Sequence, residues 1–322
     1  MEIPVPRPSE PAKVFDHSCF AMNTRFSLVL VGLEAEQARA LAQTAERHLL
    51  ACERLMSRFD AVSPVSDLNR RAADEKVTPP DALWEILTLC QGYWRQTRGA
   101  FDITLWPLTR CWREHLQRAE EPTDETIQRT LLQTGFHRLY LDEAARTVRF
   151  QSKGMSIDLG GFGKGYALES VAVQLRAAGV ERAFLSFGES SITVLGSHPH
   201  GPAWPVGVGN LFSPQDAVHT FQLRDASLST SGTAPFNAAG GPRAFGQIID
   251  PRSGRPIEGY RTMSVASPGG MEAEVLSTAL LITPAEQRAE LLSDFSAVSG
   301  VEIVYDSNAG EFVPRIEWKY GS

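Results

Sequence analysis

The sequence predicts an α+β fold with an extensive sheet, from three observations. Over long early segments, apolar residues recur three or four positions apart, the period of a helix buried on one side. From Arg182 to Ser267 the chain breaks into short apolar runs separated by Gly, Pro and Asn, the pattern of strands. Helices and strands are thus partly segregated rather than alternating as βα units. Composition agrees with a packed core: of 322 residues, 43% are hydrophobic and 21% charged, close to soluble globular averages. Disorder, a collagen repeat and a coiled coil are excluded on that ground. No Gly/Ser-rich linker and no repeat of about 20 to 50 residues marks a domain boundary.

Residues 1–12 are proline-rich, so a flexible arm is expected over 1–14, followed by one domain over 15–322. FSLVLVG from Phe26 reads as a buried strand ended by Gly32. Between Glu34 and Met56, the residues Ala38, Leu41, Ala45, Leu49, Cys52 and Met56 predict a helix with one buried stripe. Further helices are expected from Pro80 to Gln96 and from Thr123 to Thr134, the latter with Thr123 or Asp124 as cap and Gly135 as stop. LYLDEAARTVRF from Leu139 reads as a hairpin. The segment from Met155 to Gly179 reads as strand, glycine-rich turn and helix. RAFLSF, ITVLG, WPVGVGN, HTFQLRD, ASLSTSG, FGQIID and TMSVAS follow as short strands. Met271 to Ile282 and Pro284 to Phe295 are expected as helices, and VEIVYD and EFVPRIEW as a terminal strand pair.

Charge and cysteine usage narrow the function classes. With 31 basic and 38 acidic residues the formal charge is −7, and no Lys/Arg block offers a nucleic-acid footprint. No apolar run of about 18 residues exists, so no membrane segment is expected, and the N-terminus lacks a signal-peptide pattern. Cys19 follows FDHS rather than an apolar segment, which excludes a lipobox, and a cytoplasmic protein is expected. Cys19, Cys52, Cys90 and Cys111 show no CxxC spacing, which excludes a zinc knuckle and suits a reducing compartment. The seven histidines form no HExxH pattern, and Ser227, Ser229 and Ser231 lack the flanking glycine of a nucleophile elbow.

Three features carry chemistry. Asp158-Leu-Gly-Gly-Phe-Gly-Lys-Gly-Tyr166 holds an acid, a base and four glycines at a strand-to-helix junction, where backbone amides favour a phosphate. It is neither a P-loop nor a GxGxxG box, and a tight turn without ligand explains it equally well. Asp250-Pro-Arg-Ser-Gly254 by itself says only that a turn begins. Glu274 and Thr278 lie four apart, on one face of a predicted helix, where carboxylate and hydroxyl suit a hard cation such as Mg²⁺; a solvated helix face explains the pair more simply when it is taken alone. The cluster of Trp94, Phe101, Trp106 and Trp112 reads as core packing, although an aromatic also covers a flat heterocycle.

Seven segments in order resemble the FAD:protein FMN transferase family, known also as the ApbE family. They are AMNT at 21–24, MSRFDAVSPVSDLNR at 56–70, GAFDITLWPL at 99–108, DLGGFGKGYALE at 158–169, STSG at 229–232, IIDPRSGRPI at 248–257 and EVLSTALLI at 274–282. The resemblance implies a single ApbE-like unit with extensive mixed or antiparallel sheet and packed helices. It implies FAD as substrate, Mg²⁺, and transfer of FMN to a Thr or Ser hydroxyl of an acceptor flavoprotein with release of AMP. By motif matching, FAD would contact Met22, Phe59, Ala100, Phe101, Asp102, Gly160, Tyr166 and Ile248. The metal would be held by the Gly163 carbonyl with Glu274 and Thr278. No catalytic residue is assigned.

Several positions depart from the family pattern. Glu274 stands where the family has a metal-binding Asp, and Gln247 where a His usually precedes the Ile-Ile-Asp-Pro strand; Gln hydrogen-bonds but takes no proton near neutral pH. Asn23 replaces a glycine, Phe59 a frequent tyrosine, and SFGESS at 186–191 the commoner Asn-x-Gly-Gly-Asp form. These departures keep two alternatives open: hydrolysis of FAD to FMN and AMP, and a catalytically impaired FAD-binding homologue.

Overall fold

The structure, a computed structural model, describes residues 13–233, 248–308 and 311–321. The expected arm lies outside the described residues up to position 12, and Val14 already opens a strand. Strands β1 (Val14–Ala21) and β2 (Thr24–Val31) form a hairpin. Its two turn residues, Met22 and Asn23, have φ of 50° and 61°. Both positive values are what a two-residue hairpin turn of the primed type demands, and asparagine meets that demand more readily than methionine does.

A helical layer follows. Helix α1 (Ala35–Met56) buries Ala38, Ala45, Leu49, Cys52 and Met56 as the stripe predicts, with Ala42 buried where Leu41 was expected. Helices α2 (Pro64–Arg71), α3 (Asp81–Gln96), α4 (Trp106–Leu116) and α5 (Asp124–Leu131) come next. The α2 start is fixed by Ser63, whose hydroxyl accepts from the Ser66 amide, and by Pro64 in the first turn. Thr123 caps α5 in the same way, as its sequence predicts. The short hairpin β3 (Leu139–Asp142) and β4 (Thr147–Phe150) leads to α6 (Gly163–Ala177).

The second half supplies most of the sheet: β5 (Ala183–Phe187), β6 (Ser191–Leu195), β7 (Trp204–Asn210), β8 (Ser213–Leu223), β9 (Ser227–Gly232) and β10 (Tyr260–Ser267). Helices α7 (Gly270–Ile282) and α8 (Ala285–Leu292) precede the terminal pair β11 (Ser299–Asn308) and β12 (Glu311–Tyr320). Among the described residues, eight strands run in the order β1-β2-β5-β6-β9-β10-β11-β12, every neighbouring pair antiparallel. Strand β2 shows how the sheet is used: Phe26, Leu28 and Leu30 enter the helical core. Val29 and Val31 point to the other face, a second core with Trp204, Val206 and Phe221 of the β7–β8 hairpin. A strand buried on both faces reads as one continuous apolar run, which is why FSLVLV was legible.

One expected strand does not form, and a second is not found among the described residues. At 155–159 the backbone of Ile157 is paired by a side chain: its amide donates to Asn69 Oδ1 at 2.7 Å and its carbonyl accepts from Asn69 Nδ2 at 3.0 Å. One amide side chain thus supplies the donor and the acceptor that a neighbouring strand would have given. In FGQIID, residues 245–247 lie outside the described residues, and Ile249 makes only an isolated bridge to Pro256. The chain there turns back on itself through Asp250, whose carbonyl accepts from the Gly254 amide at 2.8 Å.

Candidate functional site

The junction before α6 builds one wall of the site. The Asp158 carboxylate accepts from the Gly160 amide at 2.9 Å through one oxygen and from Arg58 Nε at 2.7 Å through the other. Arg58 is thereby held with its guanidinium carbon 3.3 Å from the centroid of the Trp106 ring, and 3.9 Å from that of Phe59. Burial lowers the Arg58 pKa while Asp158 opposes that shift, and a guanidinium remains charged under either influence.

The opposite wall comes from α7. Its residues Glu274, Thr278 and Ile282, each one turn after the last, share a face that looks into a cavity of about 360 Å³. Glu274 is 3% exposed. One of its oxygens lies 3.2 Å from Lys164 Nζ, and the other accepts the Gly165 amide. That amide belongs to the first turn of α6, where N–H groups have no partner within their own helix and the dipole favours an anion. The contact needs α6 and α7 nearly touching: a Cβ on Gly165 would stand 2.3 Å from the Gly270 carbonyl oxygen. Glycine at both positions is what lets the two backbones meet.

Strand β9 adds hydroxyls. Ser229, Thr230 and Ser231 line the cavity, and the Ser231 hydroxyl lies 3.0 Å from that of Thr278 and 2.8 Å from that of Ser277. The α3–α4 connection contributes Ala100, Phe101 and Asp102, with Trp106 and Arg113 of α4 beyond them. The Asp102 carboxylate holds this connection in shape. It accepts from the Thr104 hydroxyl and amide at 2.6 and 2.8 Å and from the Phe136 amide at 2.9 Å.

Burial nevertheless raises the Asp102 pKa above the ordinary carboxylate value, those hydrogen bonds working against the shift. A carboxyl raised on folding gives stability that is fully present below its unfolded pKa and lost as pH rises through its folded value. Asp102→Ala is expected to cost about 2–3 kcal/mol in urea denaturation at neutral pH, because two backbone amides lose their acceptor. Asp102→Asn, which keeps one oxygen, should recover part of that loss.

Of the residues expected to contact FAD, the cavity gathers Ala100, Phe101, Asp102, Gly160 and Ile248. Met22, Phe59 and Tyr166 are not among its lining. Met22 packs half-buried against the core from the β1–β2 turn, Tyr166 stacks on Phe162, and Phe59 is 79% exposed against Arg58. Of the expected metal ligands, Glu274 and Thr278 share the cavity; the Gly163 backbone is buried beside Met56 and is not in the lining. Gln247 lies outside the described residues.

Arg58, Lys164 and Ser231 were not assigned to the site from sequence. For Lys164 a signal existed, a cation in the first turn of a glycine-opened helix; the Arg58 partner lies 100 positions away and leaves no local trace. A buried carboxylate and a hydroxyl in one cavity are hard oxygen donors, the kind Mg²⁺ takes together with substrate phosphates, so the residues fit that ion. Lys164 and the hydroxyls of β9 suit the phosphates themselves.

The profile of the ApbE family matches residues 22–302. An FAD:protein FMN transferase of Klebsiella pneumoniae (strain 342) is 26% identical over 270 residues, 83% of this chain and 82% of that protein. The flavin transferase ApbE from Vibrio cholerae superposes with a TM-score of 0.78 at 22% identity, covering 95% of this chain and 97% of that one. The apo form of Pseudomonas stutzeri flavinyl transferase ApbE gives 0.78 at 24% identity, covering 95% of each. A match over most of the sequence, with the same fold, shows that the chain belongs to the ApbE family.

Proposed function

We propose that this enzyme transfers the FMN half of FAD to a Thr or Ser hydroxyl of an acceptor flavoprotein, with Mg²⁺ and release of AMP. The observation that carries the reading is one cavity lined by the buried carboxylate of Glu274 with its ion-pair partner Lys164, by the hydroxyls of Thr278 and Ser231, and by the aromatic Phe101 and Trp106. Aromatic lining suits a flat isoalloxazine or adenine; cations and hydroxyls suit a pyrophosphate.

The reaction is a displacement at phosphorus. The acceptor oxygen forms a bond to the FMN phosphorus, the bridging P–O bond breaks, AMP leaves with that oxygen, and the acceptor's hydroxyl proton passes to solvent water. Bound Mg²⁺, held by Glu274 and Thr278, would neutralise phosphate charge. Lys164 donates to phosphate oxygens, and its ion pair with Glu274 keeps its ammonium aimed at the cavity. Asp158 fixes Arg58 against Trp106, which steadies that ring in the cavity wall. Ala100, Asp102, Gly160 and Ile248 shape the remaining contact surface for FAD. No helix among the described residues is long and apolar enough to cross a membrane, and all four cysteines are free. The free thiols support a reducing, cytoplasmic setting.

The test is incubation of the full chain with FAD, with and without Mg²⁺, and with and without a flavoprotein bearing a Thr or Ser acceptor. Flavin fluorescence surviving on the denatured acceptor, with equimolar AMP, is the expected result. AMP and free FMN without an acceptor would instead identify a pyrophosphatase. Retained FAD with neither product under any condition would overturn catalysis.

A further inference from the structure

We propose that His17, Cys19 and Glu46 form a second metal site, for a borderline-soft divalent cation of the Zn²⁺ class, that ties strand β1 to helix α1. His17 and Cys19 are two positions apart on β1 and therefore project from the same face. Glu46 meets them from α1, its carboxylate 3.0 Å from His17 Nε2. One ligand atom from each of the three lies within 4.8 Å of the other two, and all three residues are half-buried. Among the four cysteines, Cys52, Cys90 and Cys111 are buried and Cys19 is not. Its thiol is the one that an ion can reach.

The donor set fixes the class of ion. A thiolate and an imidazole select Zn²⁺ and its neighbours over Mg²⁺ or Ca²⁺, which take oxygen. Around tetrahedral zinc, with bonds of about 2.0–2.3 Å, ligand atoms stand roughly 3.3–3.8 Å apart, so side-chain shifts of about an ångström close this set. Charge closes it as well: thiolate and carboxylate together neutralise a divalent cation, while a neutral imidazole completes three protein ligands and leaves a fourth position to water. Burial and the neighbouring Glu46 charge hold the Cys19 thiol above its ordinary pKa, a cost that a bound cation reverses. The location gives the ion a use. Among the described residues, strand β1 is at the edge of the sheet and pairs only with β2, and a metal bridge to α1 secures it from the side. None of the three residues lines the cavity of Glu274 and Thr278, so the two sites are separate.

The test uses the full chain, stripped of metal and kept reduced, titrated with Co²⁺ and then competed with Zn²⁺. One equivalent of Co²⁺ should produce a thiolate-to-cobalt charge-transfer absorption and visible bands of tetrahedral cobalt, both erased by Zn²⁺. Cys19→Ser should abolish the charge-transfer band, and His17→Ala and Glu46→Gln should each weaken Zn²⁺ affinity at least tenfold. Glu274→Gln should leave the signal intact. Far-ultraviolet circular dichroism checks that each variant is folded, and Zn²⁺ should raise the melting temperature of the parent chain but not of Cys19→Ser. Absence of the charge-transfer band, or its persistence in folded Cys19→Ser, overturns the proposal.

Discussion

Gly165→Ala is expected to destabilise the fold and to depress turnover together, although it adds a single methyl group. The new Cβ would lie 2.3 Å from the Gly270 oxygen, 2.7 Å from its carbonyl carbon and 2.8 Å from a Glu274 carboxylate oxygen. Two of those atoms are backbone, so no side chain can swing aside; α6 and α7 must separate by roughly an ångström. Overpacking of this kind costs about 1–3 kcal/mol, and the displaced Gly165 amide loses its charge-assisted bond to Glu274, adding roughly 1–2 kcal/mol. Separation also withdraws Glu274 from Lys164, so kcat should fall by at least about tenfold even where the variant is fully folded.

Gly161→Ala is the contrast. A Cβ there meets nothing within 4 Å, so alanine should leave stability unchanged or raise it by about 0.4–1 kcal/mol through the unfolded chain. Urea denaturation of both variants measures the difference; equal stabilities would show that the helix contact does not depend on glycine.

The legibility of this fold followed the range of each interaction. Helices α1, α3, α5, α6 and α7 were readable because a stripe, a cap or a terminating glycine lies within a few residues of the element it defines. Helix α2 was not: only Val65 and Leu68 of PVSDLNRR are buried, too little for a period. Strand β1 was missed because its inward positions include His17 and half-buried Cys19, so its alternation is not one of apolar against polar.

The site divided along the same line. Helical spacing put Glu274 and Thr278 on one face and the family resemblance gave the pair its role, whereas the Lys164–Glu274 and Arg58–Asp158 contacts join residues a hundred or more positions apart. The order of short motifs supplied the family, but the cavity decided which residues meet. It separated Ala100, Phe101 and Ile248 from Met22 and Tyr166, which no spacing rule distinguishes.

Glu274→Gln is expected to lower kcat/KM by two or more orders of magnitude, about 2.7 kcal/mol or more of transition-state stabilisation, while far-ultraviolet circular dichroism stays unchanged. Glutamine has the same shape, so packing in α7 survives, but it cannot neutralise Lys164 and offers a single acceptor oxygen to two donors. With Lys164 27% exposed, the unpaired ammonium keeps part of its hydration, so the stability cost should be well below the several kcal/mol of a fully buried broken pair.

A ligand role for Glu274 adds a second signature, a raised Mg²⁺ concentration for half-maximal rate, which loss of the ion pair alone would not produce. Lys164→Met separates the two effects. It removes the cation and leaves Glu274 charged, so turnover should fall through phosphate binding while the Mg²⁺ requirement stays the same or drops. Glu274→Asp should retain more activity than Glu274→Gln, since the charge remains, yet it sits one methylene further from the Gly165 amide and should weaken that contact at some cost in stability. If Glu274→Gln shows the parent's Mg²⁺ dependence with full kcat, the carboxylate is a structural cap on α6 and the metal is held elsewhere.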